Sequence, residues 1–96
     1  MFPYRRTFMT APVSLAEAKL FLRVGHDAED RLIATLIEAA RARVEDDVRV
    51  RLTSTSPAPL RLAILMLVLG AYERGDQDMT PGPVEAWLAP YRAVRL

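Results

Sequence analysis

Cysteine is absent from the 96 residues, and histidine occurs once, at position 26. Without cysteine there is no disulfide framework and no thiolate chemistry. A zinc site takes about four nitrogen, sulfur or oxygen ligands, and one histidine falls short of that. A Ser-His-Asp triad would have to use His26, and no serine stands in a nucleophile-elbow motif. The four glycines are scattered, so no glycine-rich phosphate loop is present. An excess of charge is missing too: 13 basic and 12 acidic residues leave a net charge of +1. Nucleic-acid binding by bulk charge is therefore not indicated, since phosphate-driven affinity needs a basic excess. The longest apolar run, Leu62 to Tyr72 with Gly70 included, is about half of the roughly 20 residues that cross a bilayer. Met1 to Thr10 carries Arg5 and Arg6 but no apolar stretch of the kind a signal peptide needs.

What the chain has is apolar surface. Hydrophobic residues make up 51%, too much for a disordered tail. Ninety-six residues make one domain, and a domain that small buries a limited share of its apolar surface by itself. Part of that surface is expected to be buried between subunits.

The patterning is helical. Residues 1–13 hold two prolines and read as an extended arm, with a short strand around Tyr4 to Met9. Ser14 followed by Glu17 is a capping box that opens a first helix, with Leu15, Ala18 and Leu22 on one face. Gly25 is the expected left-handed stop. Asp27 is the expected N-cap of a second helix, with Glu29 and Asp30 in its positive first turn. Leu32, Ile33, Leu36, Ile37, Ala40 and Val44 recur at helical spacing. Arg31, Glu38, Arg41 and Glu45 lie opposite and can pair three and four positions apart. That helix is expected to end near Asp46. Val48-Arg49-Val50-Arg51-Leu52 alternates apolar and basic, which predicts a short strand, and Thr53 to Pro59 is a loop.

Pro59 suits the first turn of a third helix running to about Arg74. It is apolar on every face from Leu62 to Leu69, which predicts a position inside the packing, with Leu65 at its centre. Pro83 opens a short fourth helix, with Val84, Trp87, Leu88 and Tyr91 at i, i+3, i+4 and i+7. Pro90 is expected to end it at Ala89. The fold class is thus mainly α: about four helices, an extended N-terminal arm, and a short strand or loop between helices two and three. The domain plan is an arm over 1–13, a helical domain over 14–90 and a tail over 91–96.

Nothing in this pattern is catalytic, and no cofactor or metal is expected. His26 reads as a solvated cap or loop residue. The acidic groups Asp27/Glu29/Asp30 and Glu45/Asp46/Asp47 lack calcium-loop spacing. They read as a helix cap and a solvated helix end. Tyr91 and Leu96 are hard to bury in so small a domain and suit anchors on another protein.

The order of these pieces resembles the head-tail connector family, the adaptor or head-completion proteins of long-tailed phages and gene transfer agents. The resemblance rests on Ser14-Leu15-Ala16-Glu17-Ala18-Lys19, Leu22-Arg23-Val24, His26-Asp27-Ala28-Glu29-Asp30 and Leu32-Ile33. It continues with the proline-led apolar helix from Pro59 to Tyr72, and with Val84-Glu85-Ala86-Trp87-Leu88-Ala89-Pro90-Tyr91-Arg92 and Val94-Arg95-Leu96. It implies a structural virion protein in the neck, assembled in the host cytoplasm. It also implies a dodecameric ring beneath the portal that extends the DNA channel and offers a docking surface to stopper or tail proteins. The implied partners are further copies of the chain, the portal and a stopper or tail terminator, with transient, non-specific passage of DNA and no membrane.

On this chain the implied portal-binding residues are Tyr91, Arg92, Val94, Arg95 and Leu96. The implied tail-side or inter-subunit residues are Arg49, Arg51, Thr53, Ser54 and Thr55. Glu45, Asp46 and Asp47 are candidate channel-facing acids that would keep DNA off the wall. The middle segment is shorter than the hairpin or loop of many relatives.

The main alternative is a small helix-turn-helix DNA-binding regulator. Against it, Asp27, Glu29 and Asp30 would meet phosphates where base-reading residues belong. An assembly or peptide-binding module is a second alternative, and an enzyme is the least expected.

Overall fold

In the computed structural model, residues 11–74 and 88–91 are described. Among them are three helices: α1 (Leu15–Leu22), α2 (Asp30–Val48) and α3 (Ala58–Arg74). Residues 88–91 are helical as well, and none of the described residues forms a strand. The mainly α class read from the sequence is what the chain adopts. The expected arm strand around Tyr4 to Met9 and most of the expected fourth helix lie outside the described residues. Pro90 and Tyr91 are helical, so the regular turn does not stop at Ala89 as Pro90 suggested. Proline disfavours helix before it but does not forbid it.

The core forms where α2 meets α3. Ile33, Leu36, Ile37, Ala40, Val44 and Val48 bury one stripe of α2, against Leu60, Ala63, Ile64, Leu67, Val68 and Ala71 of α3. Each fully buried aliphatic side chain contributes about 1.5–3 kcal/mol. Ala18 of α1, Val13, Leu52 and Leu88 close the cluster from the sides, while Leu15, Leu22, Val24 and Tyr91 pack half-buried against it. Pro12 is also enclosed, so the end of the expected arm is part of the domain packing. None of the described helices is long and apolar enough to cross a membrane.

Several local expectations are met. Ser14 caps α1 with both arms of the capping box: Glu17 N–H donates to Ser14 Oγ at 3.1 Å and Ser14 N–H donates to Glu17 Oε1 at 2.9 Å. Arg41 pairs with Glu38 at 3.5 Å and with Glu45 at 3.2 Å. Pro59 sits in the first turn of α3, where a missing N–H leaves nothing unpaired.

Other expectations are corrected. α1 ends at Arg23, which takes the left-handed conformation at φ 63. Its N–H and that of Val24 donate back to Leu20 O at 3.2 Å and Lys19 O at 2.9 Å, a Schellman-type closure that did not need Gly25. α2 starts at Asp30 with Glu29 as N-cap and no side-chain cap, so Asp27 does not cap it. The Asp27 carbonyl instead accepts the Asp30 N–H at 3.3 Å.

The strand expected over Val48 to Leu52 does not exist. Val48 is the last residue of α2, one turn beyond Val44 on the buried stripe. Arg49 then reverses the chain in the left-handed region at φ 60. Only Val48 and Leu52 turn inward, while Val50 is 53% exposed. The alternation was a helix end followed by one loop anchor. α3 is apolar all round yet not enclosed: Leu62 is 38% exposed and Leu65 is half-buried.

Candidate docking surfaces

The helix bundle has two ends, each tied by polar contacts. At one end α1, α2 and α3 meet around Lys19. Its ammonium lies 2.7 Å from Asp27 Oδ1 and 2.8 Å from Asp30 Oδ1. The Asp27 contact is a directed hydrogen bond. The buried Asp30 Oδ1 has no partner of hydrogen-bond geometry, so its contact is an ion pair by proximity. The contacts with Asp27 and then Asp30 raise the Lys19 pKa, and the same ammonium lowers that of Asp27. Beside them the Tyr72 hydroxyl near the end of α3 donates to Glu29 Oε1. That bond raises the Tyr72 pKa, because ionisation would set a phenolate against a carboxylate. His26 lies exposed in the turn, its Nδ1 accepting the Ala28 N–H at 3.3 Å. The acidic residues here are thus spent on joining helices. No group of described residues could hold a metal ion.

At the other end the loop between α2 and α3 is bonded to both helices. Glu45 Oε2 accepts from Arg41 Nε at 3.2 Å and from the Leu52 N–H at 2.8 Å, and the latter holds Leu52 in the core. Thr53 N–H donates to Ser56 Oγ at 2.8 Å, Ser56 N–H returns to Thr53 O at 3.0 Å, and Thr55 N–H donates to Thr53 Oγ1 at 3.2 Å. Arg61 Nε donates to Ser56 O at 3.2 Å, tying the turn to α3.

Of the expected tail-side residues, Arg49, Arg51, Ser54 and Thr55 are exposed and Thr53 is half-buried. All five fall on this one loop. Arg49 and Arg51 border an open hollow of about 390 Å³ with Ala42, Glu45, Asp46 and Val50. Of the acids expected on a channel wall, Asp46 is exposed and Asp47 half-exposed, whereas Glu45 turns its carboxylate back onto Arg41 and Leu52. Tyr91 packs half-buried against the core. Arg92, Val94, Arg95 and Leu96 lie outside the described residues, as does Trp87.

Sequence reasoning missed an apolar groove of about 450 Å³ along the start of α3, lined by Ala58, Pro59, Arg61, Leu62 and Leu65. Its signal was present: Pro59, Leu62 and Leu65 recur every three residues on one side of that helix. Reading the helix as apolar on all faces hid which face stayed open. The Glu45 to Leu52 bond had no such signal.

A short helical domain with a braced loop and an open apolar groove offers surfaces on which another protein could dock. The family model described as phage gp6-like head-tail connector protein matches residues 12–82. The chain belongs to this family. The connector match begins at Pro12, the first buried position among the described residues, and spans all three helices. It ends before the expected portal-binding residues. No curated protein and no solved structure gives a significant match. Membership makes the connector a structural protein of the phage head-tail junction, in a non-enzymatic family.

Proposed function

We propose that the chain is the adaptor of the phage neck, with copies closing into a ring, dodecameric in the expected case, beneath the portal. The ring extends the DNA channel and gives stopper or tail-terminator proteins a surface to dock on. The observation that carries this reading is the family match over residues 12–82, which covers the three helices of the packed core. Physical features support it. A ring grows by head-to-tail contacts that close on rotation, and the domain keeps apolar surface exposed for them. The loop carrying Arg49, Arg51, Thr53, Ser54 and Thr55 is the tail-side or inter-subunit surface. Tyr91, Arg92, Val94, Arg95 and Leu96 reach the portal. Asp46, with Asp47 and Glu45 beside it, faces the lumen, where negative charge and a net charge near zero let DNA pass without sticking.

Electron microscopy of the native particle, or of the protein mixed with its cognate portal, tests the reading. The expected image is a ring stacked on the portal. A protein that stays monomeric and joins neither portal nor tail refutes it.

A further inference from the structure

Of the exposed apolar features among the described residues, which also include Leu32 and Val50, two lie at opposite ends of the bundle. One is convex: Leu20 on the outer side of α1 is 81% exposed. The other is concave: the groove lined by Ala58, Pro59, Arg61, Leu62 and Leu65. The contacts at the Lys19 end separate the two. Lys19, next to Leu20, pairs with Asp27 and Asp30 at the start of α2, and Glu29 there is bonded to Tyr72. Leu62 precedes Tyr72 by ten residues on α3, roughly 15 Å along the axis at 1.5 Å per residue. The knob of one copy therefore cannot fill its own groove.

One charge beside the knob, Glu17, is opposite in sign to Arg61 beside the groove. Glu17, exposed one turn before Leu20, borders the knob and spends only Oε1 on Ser14. Arg61 borders the groove and spends only Nε on Ser56. Arg23 flanks the knob on its other side.

We infer that a second copy of this chain covers the groove, with Leu20 of one copy seated between Pro59, Leu62 and Leu65 of the next and Glu17 set against Arg61. Because knob and groove are different surfaces at opposite ends, the contact is head-to-tail. It repeats from copy to copy, and builds a ring where the rotation closes, rather than a two-fold dimer. The inference rests on the ring reading above and names the faces such a ring uses.

The cysteine-free chain makes a direct test possible. Leu20→Cys and Leu62→Cys are made singly and together in the full chain and oxidised. A disulfide forms only where Cα atoms approach within about 7 Å, and oxidation also traps brief encounters. The expected result is a cross-linked pair when the two single variants are mixed, and a ladder of multimers from the double variant. Adding Glu17→Arg should reduce both. Cross-links of each single variant with itself, or oxidised protein that stays monomeric, overturn the inference. Electron microscopy of the unmodified chain separates the two levels: a ring without the Leu20 to Leu62 cross-link refutes these faces alone, and no ring with no cross-link refutes both.

Discussion

Replacing Glu45 by alanine should be the most costly surface-proximal change in the α2 to α3 connection. Its carboxylate holds the Leu52 N–H and the Arg41 guanidinium together. A hydrogen bond to a charged acceptor contributes about 1.5–3 kcal/mol, and the Arg41 pair at i, i+4 adds about 0.3–0.5 kcal/mol. Alanine returns about 0.4 kcal/mol of helix propensity. The net loss is therefore about 2 kcal/mol, which for a domain of this size lowers the melting temperature by roughly 8–16 °C. Glu45→Gln keeps an oxygen for the Leu52 N–H and should lose about half as much. Glu38→Ala removes only the looser 3.5 Å pair with Arg41, an exposed contact of about 0.5 kcal/mol or less. Thermal and urea unfolding of the three variants measure the order, and hydrogen exchange at the Leu52 amide measures the bond itself. If Glu45→Ala melts within 2 °C of Glu38→Ala, or the Leu52 amide keeps its protection, the braced loop is not what the contacts say.

Arg23→Gly and Arg49→Gly should each stabilise the fold by about 1 kcal/mol, since both positions hold a side chain in the left-handed region; equal or lower urea midpoints would contradict this. Lys19→Met should lower stability between the acid and alkaline extremes and flatten its dependence on pH at both ends. The lowered Asp27 pKa gives stability present above about 3.8 and lost as pH falls through the folded value, and the raised Lys19 pKa gives stability present below about 10.5 and lost as pH rises past it. Melting curves from pH 2 to 11 should therefore show smaller changes in the variant at both extremes. Ile64→Asp should leave no folded domain by circular dichroism, because Ile64 is fully enclosed, whereas Leu65→Asp, at the open groove, should fold. Deleting residues 92–96 while keeping Tyr91 should preserve the melting curve and abolish portal docking in a pull-down; undiminished docking would move the portal contact elsewhere.

The helices were legible wherever a residue's role depended on near neighbours. Ser14 with Glu17, the Ile33 to Val44 stripe and the Glu38, Arg41, Glu45 ladder each lie within one to about three turns of a helix, so their spacing carried the structure. What failed depended on distant packing. Five alternating residues cannot distinguish a strand from a helix end plus a loop anchor, and only the α3 surface decides that Val48 and Leu52 go inward. Glycine was the expected terminator of α1, yet Arg23 took the left-handed position, because two carbonyl acceptors and the seating of Val24 offset its steric cost. The tail-side residues were placed on one loop by sequence order alone. The groove beside them escaped notice because an apolar helix gives no indication of which face its neighbours leave uncovered.

The self-bonded turn from Thr53 to Ser56, pinned by Arg61 and by Glu45 through Leu52, bears on binding thermodynamics. Ordering a side chain at an interface costs roughly 0.5–1.5 kcal/mol, and here much of that ordering is complete before any partner arrives. A ring multiplies this advantage by its copy number, since every subunit would present the same fixed loop at the same height. Even weak single contacts then add up to a tight collar, because each further loop engages from an already aligned position.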